Sequence, residues 1–261
     1  MTDYKEEIAK CCKKLKLSSN LAEMAMKMEG DTHQEYVYKL FEQELENRDT
    51  ARMAKLTKAA GFPVEQKFDD FRFNEVKLQS ETTIDSLKAL NFIEEKKNLV
   101  MFGGTGTGKT MLSICLGLEA CKRGIPVKFY RTAALINLLA ESKASGTLTV
   151  LTKKLNKASV IILDEFGYVP YDKTGSQLLF DFLSEIHQKK VVILNTNLEF
   201  SKWVNVLYDE QMTAALVGRL MHHCHLLLFP GENNRLKESS INEVYQTLRK
   251  EMKSEDKENG N

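Results

Sequence analysis

Proline is scarce in this chain of 261 residues, tryptophan occurs once, and net charge is nearly absent. Four prolines and fourteen glycines exclude collagen-like and Pro/Gly-rich low-complexity architectures. No apolar run approaches the roughly 18 residues a membrane-spanning helix needs, so no membrane association is expected. The opening MTDYKEEIAK lacks an apolar core of the secretory type, which points to a cytoplasmic protein. The five cysteines stand at 11, 12, 115, 121 and 224, an odd number without repeated CxxC spacing. That excludes a disulfide framework and fits a reducing compartment. With 37 Lys+Arg against 36 Asp+Glu, a uniformly basic surface is excluded, while local basic patches are not. What is present is 43% hydrophobic and 28% charged residues, a globular profile with enough length for one large or two smaller domains.

The first 60 residues read as helical. Segments 3–17, 20–29 and 34–60 carry apolar residues at three- and four-residue spacing. Their charge is blocky: residues 8–16 hold four lysines and no acid, and residues 23–46 hold seven acids and two lysines. Arg48, Arg52, Lys55 and Lys58 follow against one acid, Asp49. Such a run most simply forms a solvated helix face. The sharper reading is contact with DNA phosphates, because one face of a helix presents all four. Gly61-Phe62-Pro63 breaks the helix. The connector KFDDFRFNEV supplies Phe68, Phe71 and Phe73, expected to fill core against the next domain rather than stack bases.

Beyond residue 80 the pattern alternates. Short apolar runs at 99–102, 127–130, 159–163, 191–194 and 226–229 are separated by amphipathic helical stretches, which implies a parallel sheet buried on both faces. Cys121-Lys122-Arg123-Gly124 reads as a helix C-terminus, and Asp172 as the cap of a helix over 173–188. The polar stretch from Arg249 onward reads as a frayed tail.

Three motifs carry chemistry. Gly103-Gly104-Thr105-Gly106-Thr107-Gly108-Lys109-Thr110 fits G-x-x-x-x-G-K-[ST] at every fixed position. Its glycines let backbone N–H groups turn inward around phosphate oxygens, and the following helix adds its positive end. Lys109 is then expected on the terminal phosphates of ATP and the Thr110 hydroxyl on Mg²⁺. The run Val160–Leu163 delivers Asp164 and Glu165 at a strand end. Asp164 serves as a metal ligand and Glu165 as the group that orients the attacking water. Asn195-Thr196-Asn197 closes the next strand. Asn197 is the expected contact to the γ-phosphate or lytic water, with Asn195 the one that points into the sheet. Arg219, on a helix before the last strand, is placed to act as an arginine finger on a neighbour's nucleotide, and Arg235 to sense the nucleotide in its own chain. His222-His223-Cys224-His225 is not read as a metal site, because consecutive strand residues alternate sides and zinc sites use wider spacing.

Taken in order, GGTGTGKT, VIILDEFGYVP, ILNTNLEFSKW, RLMHHCH and GENNRLKES resemble the IstB-like group of AAA+ ATPases, helpers of insertion-sequence transposition. That group is similar to the helicase loader DnaC and, more distantly, to the initiator DnaA. The resemblance covers nearly the whole chain and implies an AAA+ P-loop domain with a five-stranded parallel sheet in the order 5-1-4-3-2, preceded by a small helical domain. The implied boundaries are 1–67 helical, 68–245 ATPase and 246–261 polar tail. It implies Walker A at Lys109 and Thr110, Walker B at Asp164 and Glu165, sensor 1 at Asn197, the finger at Arg219 and sensor 2 at Arg235. It further implies ATP between the subunits of a homo-oligomer on duplex DNA, and a transposase as partner. Gly218 departs from the Asp that commonly precedes the finger, and Phe166 from a common Leu. Two other functions stay open: a DnaC-like loader that grips another protein through the N-terminal helices, and an ATP-gated scaffold with negligible hydrolysis.

Overall fold

The computed structural model describes residues 4–79, 82–168 and 171–231. Three helices come first: α1 (Tyr4–Leu15), α2 (Leu21–Lys27) and the long α3 (His33–Ala60). Thr32 starts α3 by accepting a hydrogen bond from the Glu35 backbone, and Gly61 ends it in the left-handed region. The rest alternates through α4 (Ile84–Ala89), α5 (Asn91–Glu94), β1 (Asn98–Gly103), α6 (Lys109–Lys122), β2 (Val127–Arg131), α7 (Thr132–Ala144) and α8 (Leu148–Leu155). It continues through β3 (Val160–Phe166), α9 (Lys173–Ile186), β4 (Val191–Thr196), α10 (Val204–Leu207), α11 (Glu210–His222) and β5 (Cys224–Phe229). No helix among the described residues is long and apolar enough to cross a membrane.

The five strands form one parallel sheet in the order β2-β3-β4-β1-β5, which is the expected order read from its other edge. Alternation along the strands divides the core in two. Val100, Ile161, Leu163, Val192 and Leu194 face the layer of α7, α9 and α11. Leu99, Met101, Ile162, Val160 and Ile193 face the layer of α6. Both faces are therefore apolar, as near-continuous apolar strands require. Phe68, Phe71 and Phe73 of the connector pack into the α6-side core, in the core-filling role expected of them. Inside the sheet, the buried Asn98 side chain accepts from Val192 N (2.9 Å) and donates to Leu220 O (3.1 Å), tying β1 to β4 and α11.

Strand ends run past their sequence signals. β5 begins at Cys224 because its backbone pairs in register with Asn98, so the polar end of the HHCH string belongs to the sheet. β3 continues to Phe166 through a register shift between Leu163 and Phe166. The shift coincides with Glu165 at φ +57°, a left-handed conformation that L side chains avoid. Asp172 caps α9 by accepting from Gly175 N at 2.8 Å.

Candidate functional site

The carboxyl ends of β1, β2 and β3 open onto one cleft of about 600 Å³, the place where open α/β sheets hold ligands. The phosphate loop forms its floor. Gly103 has no room for a side chain, since a Cβ there would stand 2.2 Å from the Phe229 carbonyl oxygen. Gly108 takes φ +98° where the loop turns into α6, with the Phe71 ring 3.1 Å from the position a Cβ would occupy. The loop can lie flat against β5 and the connector only with glycine at these two positions.

Lys109 curls back over its own loop. Its ammonium donates to Gly103 O (2.7 Å), Gly104 O (2.6 Å) and Thr107 Oγ1 (3.4 Å). The Thr110 hydroxyl meets both carboxylate oxygens of Asp164, at 3.0 and 3.1 Å. Asp164 is 5% exposed and accepts a second side-chain hydrogen bond from Asn195 Nδ2 at 2.8 Å. Asn195 in turn accepts from Ser113 Oγ at 2.9 Å, so a buried chain runs Ser113–Asn195–Asp164–Thr110 across α6, β4 and β3. A hydroxyl beside a carboxylate is a hard-oxygen pair of the kind Mg²⁺ takes alongside phosphate oxygens and water. Among the described residues no cluster of three or more His, Cys, Asp or Glu could hold a metal alone.

Glu165, next to Asp164 in sequence, leaves the sheet in the opposite sense. The left-handed backbone sends its carboxylate to the cleft wall, where it is half exposed and pairs with the Arg131 guanidinium at 3.6 Å. Arg131 ends β2. Motif spacing does not single it out, although its place at a strand's carboxyl end is a usable signal. The opposite wall comes from the connector, with Pro63, Val64, Asp70 and Phe71 facing Met111 and Ile114 of α6.

The structure thus brings Gly106, Thr107, Gly108, Lys109, Thr110, Asp164 and Glu165 together on one cleft, with Gly103, Gly104 and Thr105 continuing the same loop. Asn197 stands apart. It is exposed just past β4, whereas Asn195 is 1% exposed and holds Asp164. Arg219 is not among the residues lining its own chain's cleft. It lies against α9, with its guanidinium 4.9 Å from the Phe180 ring centroid and bonded to Ser184 Oγ. Gly218 before it has open space where a Cβ would stand. Arg235 and the tail from residue 246 lie outside the described residues.

The four basic residues of α3 divide into two pairs. Arg48 donates to Glu44 (2.6 Å) and to Lys16 O (3.0 Å), and Arg52 donates to Gly124 O (3.0 Å), so both guanidinium groups already bind within the chain. Lys55 and Lys58 are exposed. Glu44 has no signal in the sequence. It is a carboxylate 4% exposed on a helix, and it also accepts two hydrogen bonds from Ser18 N. Burial pushes its carboxyl up, but the hydrogen bonds from Arg48 and Ser18 outweigh burial and hold it below the ordinary carboxylate value.

Comparison with known proteins adds to this geometry. The family profile described as IstB-like ATP binding protein matches residues 11–242. The chain is 30% identical over 248 residues to the ATP-binding protein of insertion sequence IS5376 from Geobacillus stearothermophilus, covering 93% of this chain and 98% of that relative. It is 32% identical over 219 residues to the ATP-binding protein of insertion sequence IS21 from Pseudomonas aeruginosa, covering 84% and 82%. Among solved structures, AMPPCP-bound DnaA from Aquifex aeolicus is similar in fold, with TM-score 0.50 and 17% identity over 73% of this chain and 56% of that one.

Proposed function

The chain belongs to the IstB-like ATP-binding family, and from that membership we propose that it is an ATP-hydrolysing helper of DNA transposition. It assembles on target duplex DNA with ATP between subunits and there recruits or stimulates a transposase. The observation that carries the ATPase reading is the convergence of Lys109, Thr110, Asp164 and Glu165 on one cleft at the carboxyl ends of the strands. Its relatives' names place them in insertion sequences, which supports the transposition setting.

ATP would lie with its phosphates along the loop from Gly103 to Thr110. Lys109 exchanges its carbonyl partners for phosphate oxygens, a trade of neutral acceptors for charged ones. Thr110 and Asp164 would hold Mg²⁺, which when bound neutralises charge developing on the phosphates. Asn195 keeps the Asp164 carboxylate oriented. Glu165 polarises the attacking water once its carboxylate parts from Arg131. Arg219, which lies against Phe180 and Ser184 of α9, would leave that contact to bring its charge to a neighbour's nucleotide. Lys55 and Lys58, with the exposed sides of Arg48 and Arg52, would meet DNA phosphates.

Two variants test the nucleotide chemistry. Lys109→Ala is expected to lose ATP binding in a fluorescent-nucleotide titration. Glu165→Gln is expected to bind ATP like the parent while steady-state phosphate release drops at least about a hundredfold, the usual size of a lost general base. Equal turnover in Glu165→Gln and parent would leave a binding scaffold as the better reading.

A further inference from the structure

Of the twelve large apolar side chains exposed among the described residues, seven lie between Tyr4 and Leu45. Apart from Met26 on α2, they form two faces. On α3, Val37, Phe41 and Leu45 follow one another at four-residue spacing, with Tyr38 alongside, and are 44, 58, 63 and 64% exposed in that order. Residues four apart share one side of a helix, so the four make a stripe. On α1, Tyr4 and Leu15 are 68% and 67% exposed, and they share a face with Ile8 and the exposed Cys11. A monomer gains nothing from leaving two such stripes in water.

Their charge surroundings are opposite. The α3 stripe is bordered by exposed Glu42 and Glu46, within a stretch of seven acids and two lysines over residues 23–46. The α1 stripe is bordered by Lys14 and by Lys10, which pairs with Glu7 at 2.7 Å. α1 carries four lysines against two acids, Glu6 and Glu7, and its C-terminal half, residues 8–16, has lysines and no acid. Pairing α3 with α3 would set acid on acid, whereas the lysine-rich C-terminal half of α1 offers the α3 acids opposite charge. Within one chain the two stripes do not meet, since α1 packs on α2 and α2 on α3, and both stripes stay exposed.

We propose that the α1 face of one copy of this chain docks on the α3 stripe of the next copy. The inference rests on the reading of an ATP-dependent homo-oligomer and names a second contact within it. Two different patches that match each other give a head-to-tail series rather than a closed pair, which suits a protein that extends along DNA. One helix face on another is smaller than the roughly 1,600 Å² of a free-standing interface, so the contact adds to the nucleotide-bridged one rather than replacing it.

The test uses the full chain with ATP, Mg²⁺ and duplex DNA in sedimentation velocity. Leu45→Lys is expected to raise the concentration for half-assembly about tenfold or more, the effect of losing one buried leucine at an interface. Its thermal melt should match the parent's, because Leu45 is exposed in the monomer. The reversals Lys14→Glu and Glu46→Lys should each weaken assembly, and their combination should restore part of it. Alkylation of Cys11 should slow when the parent assembles and stay fast in Leu45→Lys. Assembly of Leu45→Lys at the parent's concentration, with the parent assembling normally, would overturn this contact alone. A combined reversal no better than either half would overturn it as well. A parent that stays monomeric in ATP would overturn the oligomer reading together with the contact.

Discussion

Replacing Asn195 and Asn197 one at a time separates the two asparagines at the end of β4. Asn195 is 1% exposed, donates to Asp164 at 2.8 Å and accepts from Ser113 at 2.9 Å. Asn195→Ala removes one hydrogen bond to a charged acceptor, about 1.5–3 kcal/mol, and one neutral bond, about 0.5–1.5 kcal/mol. Ser113 keeps the Lys109 carbonyl at 3.0 Å, and Asp164 keeps Thr110, so neither partner is left bare. The neutral bond therefore counts at the low end, and the expected loss of stability is about 2–3.5 kcal/mol. Asn197 is exposed, so Asn197→Ala should stay within about 0.5 kcal/mol of the parent. Its effect should fall on ATP turnover instead, if it contacts the γ-phosphate or the attacking water. Urea unfolding followed by circular dichroism gives the first quantity, and phosphate release the second. Two results would refute the reasoning: Asn195→Ala as stable as the parent, or Asn197→Ala destabilised as much as Asn195→Ala.

Arg219→Ala is expected to leave ATP affinity nearly unchanged while turnover falls by about 10³ if the guanidinium serves a neighbour's nucleotide. Mixing Arg219→Ala with Lys109→Ala should then restore part of the turnover, because each supplies what the other lacks. Glu44→Gln is expected to cost about 1–3 kcal/mol near pH 7, since a charge-assisted network around a buried carboxylate is lost. The folded Glu44 carboxyl sits below its ordinary value, so its contribution is present above the ordinary carboxylate range and disappears as pH falls through the folded value. The gap between variant and parent should close in acid, and a gap that ignores pH would contradict the assignment.

The parts of this molecule that are legible in the sequence are the ones set by local chemistry. Val160–Leu163 reads as a buried strand because four apolar residues in a row suit a sheet covered on both faces. Gly103 to Thr110 reads as a phosphate loop because each constraint lies within eight residues. Asp172 announces its helix by the cap it makes. What stays hidden depends on chain that is distant in sequence. Arg131 acquires meaning only when β2 and β3 lie side by side and Glu165 turns toward it, 34 positions later. Asn195 and Asn197 would share one side of a longer strand, but β4 ends at Thr196, which leaves Asn195 on Asp164 and Asn197 exposed beyond the strand; the contact to Asp164 itself joins positions 31 apart. Glu44 looks like one more surface acid on an acidic helix until α3 lies against the Ser18 turn. Apolar periodicity in α3 suggests a buried face, yet Val37, Phe41 and Leu45 face outward. Spacing alone tells which residues share a side, not which side is covered.

The central claim is that ATP in the cleft gates assembly on duplex DNA. Sedimentation of the purified chain with a duplex long enough for several subunits tests it most directly, in ATP–Mg²⁺ and then in ADP. The account predicts large complexes that require both ATP and DNA, that fall apart in ADP, and that weaken steeply with added salt as phosphate contacts are screened. A small species indifferent to DNA in both nucleotides would contradict it.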